Sequence, residues 1–595
     1  MRFLVLLISY LVLTTSAFSQ DDFLAKRYFE DGAFDKAVVF YEKLVEKDPR
    51  RTDYAEGLIA CYQQLERYTD AEKFLRQEIE MARPNPTFYI ELGYNYTLQN
   101  NAEEADQYYE QAISMINKNP NYGYGVGLRF QKYALLDYAI KAYSKAMELN
   151  PKLDFNYQMA RIYGEQGDID RMFTSYLTLI AEGKASLSNV VRNFDDFITS
   201  NIETENNQKL KTILLKNAQQ DPNVIWNQLL SWLFVQQKQY GSAFRQEKAI
   251  YKRMDGASIQ RLENLGDIAL EDSATEVAKE VYEYIIENTN DEVTELNAQL
   301  NIIDIQLLDT DEKQLTVIQK QYEQLVEIYG YKSQTLQLQI AYANFLTFRR
   351  DMPNQAIEIL KNSLELPLNI RGAAFVKLAL GDILVFNKKF NEALIYFSQI
   401  QKRLKNDVLG QNARFKVAQT SFYKGDFDWS LTQLKVLRSS TSQLIANDAM
   451  QLSLLISDNS LEDSTQTALK KYARADLLAY QNKTQEAITT LDDILENHKG
   501  EKIEDEALLK QGELLVSIKD YETAKFNYQK IIEFYATGIL ADDAYFQLGE
   551  LYRNILNEPE KAKAQYEKII YNYQDSYYFP KARQYFRMLR GDSIN

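Results

Sequence analysis

The chain has 595 residues, with 68 basic and 84 acidic side chains and a formal net charge of −16. Such an acidic balance keeps a protein soluble and argues against nucleic acid or anionic lipid as a partner, because both are held by clustered Lys and Arg. The single histidine, His498, and single cysteine, Cys61, exclude a multi-histidine zinc site and an internal disulfide.

Arg2 opens an apolar run from Phe3 to Leu13, followed by Thr14-Thr15-Ser16-Ala17-Phe18-Ser19. One basic residue, a short apolar stretch and small residues at Ala17 and Ser19 predict a secretory signal at 1–19, cleaved after Ser19. The run is too short to span a bilayer, so no transmembrane segment is expected in the mature chain. No cysteine stands near the cleavage point to take a lipid. Export makes the bacterial periplasm, or the periphery of the outer membrane, the expected location. Loss of Arg2 takes the net charge to −17.

From residue 20 to 183 a repeat governs the chain. Ala37, Ala71, Ala105 and Ala139 stand 34 residues apart, and a fixed step of that size means one supersecondary unit copied in tandem. Gly93, Tyr96, Ala105, Tyr109 and Ala112 keep the spacing of Gly127, Phe130, Ala139, Tyr143 and Ala146. In each unit two apolar runs of helical period flank a turn, marked by Gly32, Asn100-Asn101 and Gly167. Each unit is therefore read as two antiparallel helices. One such pair cannot bury enough apolar surface alone, so neighbours must stack. The expected fold is all-α, an α-solenoid of tandem antiparallel helix pairs. Cys61 falls where a first helix is buried, so it reads as a packed thiol.

The stretch 184–330 is expected to be an irregular helical-repeat middle. The register is lost from Lys184 to about Asn223, with a polar break at Glu203-Thr204-Glu205-Asn206-Asn207, and Asn288 to Tyr331 is helical but poorly registered. Trp226 and Trp232 open a new helix pair, and Gly266, Ala278 and Tyr282 mark another unit. A second repeat block, 331–456, carries Ala356, Ala393 and Ser430 at steps of 37. The polar segment 457–467 reads as a hinge. A C-terminal block, 468–595, carries Ala487, Ala524 and Ala562 at steps of 37 and 38. Pro353 and Pro559 start second helices.

Sites of chemistry are sparse. His498 lies beside Asn497 and Gly500 and reads as a solvated loop residue. Gly123, Gly125 and Gly127 follow a helix and not a strand, unlike a phosphate cradle. Asp309-Thr310-Asp311-Glu312 lacks the turn glycine and closing glutamate of a helix–loop–helix calcium site. Neither catalysis nor a cofactor nor a bound metal is expected. A rival reading places an active site in 184–223, signalled by a carboxylate of strongly raised pKa in a pocket there. Another treats the 42 tyrosines and the pair Trp226 and Trp232 as stacking platforms for carbohydrate or a nutrient.

On Ala25, Tyr28, Ala37, Tyr41 and Pro49 in the first copy, Gly93 to Ala112 in the third, and Gly127 to Ala146 with Pro151 in the fourth, the chain resembles the tetratricopeptide repeat family. It departs at Ile59, the usual glycine position of the second copy, and at Met172 for alanine in the fifth. The longer-period repeats of about 370–590 resemble those of bacterial envelope proteins, namely outer-membrane assembly lipoproteins and periplasmic partners of the Tol–Pal system. The resemblance implies a scaffold for other envelope proteins or peptides, with the first helix of each unit lining the groove. It places Lys26, Phe29, Tyr94, Tyr124, Tyr157 and Arg161 on that groove, as partner contacts or as packing between repeats. Family members that clamp a terminal carboxylate use Lys and Asn where Asp22, Lys26, Glu56 and Ala60 stand here, so that mode is not implied.

Overall fold

A computed structural model describes residues 21–592 except 81–84, 255–257, 439, 441 and 461–464. The expected signal at 1–19 lies outside the described residues. Among the described residues the regular structure is helical, with no strand. The chain is an all-α solenoid of antiparallel helix pairs, divided into two compact units, Met1–Asp255 and Gly256–Asn595.

In the first unit the hairpins are 21–30 with Phe34–Lys47, Thr52–Gln64 with Tyr68–Ile79, Pro86–Leu98 with Ala102–Ile116, Tyr122–Lys132 with Leu136–Leu149, and Asn156–Glu165 with Ile169–Ala181. Val224–Gln236 and Tyr240–Arg253 close the unit. Each hairpin packs on the next. The repeated alanines sit at the tightest points: Ala37, Ala71 and Ala139 are fully buried and Ala105 is 2% exposed.

Opposite them a second rule operates. A Cβ added at Gly93 would lie 2.5 Å from Tyr109 Cε1, and one at Gly127 would lie 2.8 Å from Tyr143 Cδ1. Gly266 meets Tyr282, Gly381 meets Phe397, Gly512 meets Tyr528 and Gly549 meets Tyr566 in the same way. A ring on the second helix thus lies flat where the first helix offers no side chain, which lets the two backbones close to packing distance. Seven of the twelve largest fully buried side chains are tyrosines, Tyr109 and Tyr143 among them, so the repeat places part of the phenol count in the core.

The turn inside each hairpin also repeats. Gly32, Glu66, Asn100 and Ala134 all have positive φ, at the 34-residue step, and in the second unit Lys388, Asn482, Lys519 and Asn557 also have positive φ, the last three at steps of 37 and 38. The left-handed residue ends one helix and reverses the chain. Since Glu, Ala and Lys take this position as well as Gly and Asn, residue type alone understates how regular the turn is.

The unregistered 184–223 segment holds two helices, Leu187–Phe194 and Glu205–Gln220. The polar break expected at 203–207 ends earlier than its composition indicates, because Asn207 is inside the second helix and fully buried. Its Nδ2 donates to Thr199 O at 2.8 Å and Asn201 O at 2.7 Å, while Thr199 N–H donates to its Oδ1, so one amide clamps the connecting loop.

In the second unit the poorly registered 288–331 stretch holds two helices, Glu292–Leu307 and Glu312–Tyr329, and the first packs chiefly on the preceding helix Thr275–Asn288 and only lightly on the second. Asp311, in the acidic run set aside as a calcium loop, caps the second of these helices reciprocally with Gln314. Gln260–Glu271 with Thr275–Asn288 precedes this pair. Leu336–Phe348 with Pro353–Ser363, Ile370–Phe386 with Phe390–Arg403, and Val408–Lys424 with Phe427–Leu437 follow it. Beyond Gln443–Ser460 come Thr467–Tyr480 with Thr484–Asn497, Ile503–Ser517 with Tyr521–Phe534, Ala541–Asn554 with Pro559–Asn572, and Phe579–Arg590.

Candidate partner-binding grooves

All six groove residues of the sequence reading lie on first helices of the first unit, and the structure gives them different work. Lys26 is exposed and pairs with Asp22 at 3.1 Å, one helical turn away. Phe29 is half-buried, edge-on to Phe34 and Tyr41. Tyr94 stacks on Tyr133 of the next hairpin with 3.8 Å between centroids. Tyr157 sits edge-on to Tyr176, and its hydroxyl accepts from Asn193 Nδ2 at 3.0 Å. Tyr124 is 48% exposed beside Phe155, and Arg161 is exposed near Glu165. Phe29, Tyr94 and Tyr157 therefore spend much of their surface on packing, whereas Lys26, Tyr124 and Arg161 present open groups.

Sequence reasoning missed a polar link across this face. Arg129 on Tyr122–Lys132 donates through Nη1 to Glu91 Oε1 on Pro86–Leu98 and through Nη2 to Glu56 Oε1 on Thr52–Gln64. Tyr133 OH donates to the other Glu91 oxygen at 2.6 Å. Glu91 is 2% exposed. Burial works against the Arg129 charge, but the two carboxylates outweigh it and hold the guanidinium protonated. Three consecutive first helices are thus tied by one cation. The available signal was small: Glu91 and Arg129 lie two residues before Gly93 and two after Gly127.

On the corresponding face of the second unit the carboxylates dominate. Asp382 meets Lys416 at 3.0 Å, and Lys510 holds Asp476 at 2.9 Å with Glu513 at 4.0 Å. Burial raises Asp382 while Lys416 opposes the rise. Glu506 is pushed up to about 8, first by burial and then by Asp505 and Asp543. Burial, followed by Asp542, pushes Asp543 to about 6, although Tyr578 donates to it at 3.0 Å. Asp382 lies on Ile370–Phe386, Glu506 on Ile503–Ser517 and Asp543 on Ala541–Asn554, so none of these shifted carboxylates belongs to the 184–223 segment. Among the described residues, no group of three His, Cys, Asp or Glu is disposed to hold a metal ion.

His498 departs from its solvated-loop expectation. Its side chain is 14% exposed, with Nδ1 2.9 Å from Glu501 and Nε2 3.4 Å from Lys471, because the chain folds back over the end of Thr484–Asn497. Cys61 is fully buried, and desolvation pushes its thiol up to about 12, which makes it a core residue and not a nucleophile. Gly123, Gly125 and Gly127 all lie inside one helix. Trp226 is 4% exposed and donates Nε1–H to Asp221 at 3.1 Å, and Trp232 is half-buried near Phe194. Neither forms an open platform, so the carbohydrate reading loses its main support. The third indole, Trp429, is 48% exposed.

Family models described as Tetratricopeptide repeat match residues 86–119, 506–537 and 543–576, in both units. The chain carries tetratricopeptide repeats. The matched stretches contain the close contact of a first-helix glycine with a second-helix ring at Gly93, Gly512 and Gly549, and tandem hairpins of this kind serve as a protein–protein interaction scaffold. Over 125 residues the chain is 22% identical to the general transcriptional corepressor trfA of Dictyostelium discoideum, a match covering 21% of this chain and 9% of that protein. Among solved structures, a chain of Naa15/Naa10 bound to HypK-THB aligns over 95% of this chain and 85% of its own, at 13% identity and a TM-score of 0.34. A chain of the APC/C hetero-tetramer Cut9-Hcn1 aligns over 97% and 98%, at 12% identity and a TM-score of 0.24. No helix among the described residues is long and apolar enough to cross a membrane.

Proposed function

We propose that the protein is an exported, non-catalytic scaffold of a bacterial periplasm that docks envelope proteins or peptides along its first-helix faces. The supporting observation is the open set on the first unit, where Lys26, Tyr124 and Arg161 keep exposed side chains on helices otherwise committed to packing. An exposed aromatic ring on one hairpin supplies an anchor with large contact area, and exposed cationic groups on other hairpins a charge filter against wrong partners. Export rests on the apolar run and small residues of 1–19.

Placing a photo-crosslinking phenylalanine analogue at position 124, irradiating intact cells and identifying the captured proteins by mass spectrometry tests the docking face. The expected result is a small set of envelope proteins, absent when the analogue replaces buried Tyr143. Capture of cytosolic proteins alone overturns the location, and identical products from both positions overturn the docking face. N-terminal sequencing of the purified mature protein is expected to begin at Gln20, and an intact Met1 would contradict export.

A further inference from the structure

The second unit contains a groove that no sequence motif announced. It is lined chiefly by the first helices of three successive hairpins, Gln260–Glu271, Glu292–Leu307 and Leu336–Phe348. It consists of two adjoining cavities of about 610 and 310 Å³ that share Asp304, Gln337 and Ala341 as walls. Both volumes fall in the general range of ligand-binding clefts.

The two cavities differ in chemistry. The larger is walled by Glu263, Asp267 and Asp304, with side-chain amides such as Asn297, Asn301 and Gln334 between them. Among the described residues that line it there is no lysine, arginine or histidine. The smaller one is closed by Leu307, Tyr322, Ile340, Phe345 and Phe348. Its one cation, Arg349, donates Nη2–H to Leu307 O at 3.0 Å. Asp304 keeps its side chain open to solvent, but desolvation by the groove walls raises it as it raises Glu263, and the Asp267 charge raises Glu263 further. A concave wall with that charge and no internal counter-ion concentrates negative potential where an incoming cation would sit.

Asp304, which borders both cavities, and Leu307, which lies in the apolar one, are three residues apart on one helix, a separation of roughly 5 Å. Side chains two apart on an extended strand project to the same side about 7 Å apart. The amides between the carboxylates offer both donors and acceptors for the main chain of such a strand.

We infer that this groove docks an extended segment of a partner protein bearing Lys or Arg two residues from a large apolar side chain, the cation against Glu263, Asp267 and Asp304 and the apolar group against Leu307, Ile340 and Phe348. The inference rests on the scaffold reading and names the partner chemistry of one groove. A free polyamine satisfies the carboxylates but leaves the apolar cavity unfilled, so the peptide is the better match.

An array of short synthetic peptides, with two positions one residue apart varied through all amino acids in a Ser/Gly background, tests this against the purified full chain. The expected binders carry Lys or Arg at one position and Leu, Ile, Phe, Tyr or Trp at the other. Replacing either by Ala should weaken binding about tenfold, as should Asp304→Asn in the protein. Asp304 is exposed, so D304N is expected to melt like the parent protein. Phe345→Ala is a less suitable probe because its ring is 3% exposed and packed. Equal binding of Arg and Ala peptides, binding unchanged by D304N, or no binding anywhere on the array overturns the inference. Spermidine binding as tightly as the best peptide reassigns the groove to polyamines and also overturns it. The crosslinking at position 124 reports on the other unit, so failure here with capture there removes this groove and leaves the scaffold reading standing.

Discussion

Alanine at Gly125 and at Gly127 is the same substitution made two residues apart on one helix, Tyr122–Lys132, and the structure assigns the two different outcomes. Gly125 is exposed, and an added Cβ there meets nothing within 4 Å. G125A should gain the helix preference of alanine over glycine, about 1 kcal/mol. At Gly127 the new Cβ would lie 2.8 Å from Tyr143 Cδ1 and nearer still to the next ring atoms, whereas carbons at rest keep about 3.5–4.0 Å. The ring has no room to retreat. Tyr143 is fully buried, lies 5.2 Å from Phe155, and donates its hydroxyl to Gln131 at 2.9 Å. Overpacking of this kind costs about 1–3 kcal/mol, so G127A should be neutral to about 2 kcal/mol destabilising after the same helix gain. The two variants should therefore differ by about 1–3 kcal/mol. For a unit of this size 1 kcal/mol moves Tm by about 2–4 °C. Because repeat arrays need not unfold all at once, hydrogen exchange of residues 122–132 should accompany the thermal melts. Equal shifts of both variants in the same direction would refute the close approach of Gly127 to Tyr143.

Four further outcomes are expected. Arg129→Met should cost about 3 kcal/mol or more, since it strands Glu91 buried without its cation, and adding Glu91→Gln should recover part of the loss in a double-mutant cycle. If urea denaturation shows additive losses, the pair is not coupled. Lys388→Gly should raise stability by up to about 1 kcal/mol because Lys388 holds φ at +58° on an exposed turn, and a lowered melting temperature would contradict that strain. Glu506 titrates near 8 in the folded unit against an ordinary 4.5, so the folded state binds the extra proton. Its contribution to stability is complete below about 4.5 and is lost as the pH rises through 8, and the urea midpoint of the second unit should fall across that window. Glu506→Gln should flatten the profile, and an unchanged slope in that variant would assign the dependence to other groups. Ala105→Leu and Ala139→Leu should each cost about 1–3 kcal/mol by overpacking, since both alanines are at most 2% exposed, and unchanged melting curves would break the repeat register.

How far the sequence could be read depended on whether a feature recurred. The alanines at 37, 71, 105 and 139 sit at the packed points their spacing predicted, because a helix contact that recurs every 34 residues imposes the same small side chain each time. Glu66, Ala134 and Lys388 occupy the same turn as Gly32 and Asn100 but gave no signal, since the following helix imposes the left-handed backbone and the residue type does not. The stretch 288–331 departs from the pattern in its packing too, since its helices are longer and Glu292–Leu307 packs more on Thr275–Asn288 than on Glu312–Tyr329.

The sequence alone determined the helix pair, its repetition and the apolar face each helix must bury, because these follow from local period and side-chain size. Only the tertiary structure decided which groove residues remain open. Tyr94, one residue after Gly93, and Tyr124, three before Gly127, were both expected on the groove, yet one is stacked on Tyr133 and the other is 48% exposed. It also decided that Arg129 reaches two carboxylates on two earlier hairpins, and that Asp304 borders an acidic cavity and an aromatic one. Those outcomes depend on distances between side chains of different repeats, and a one-dimensional period carries no information about them.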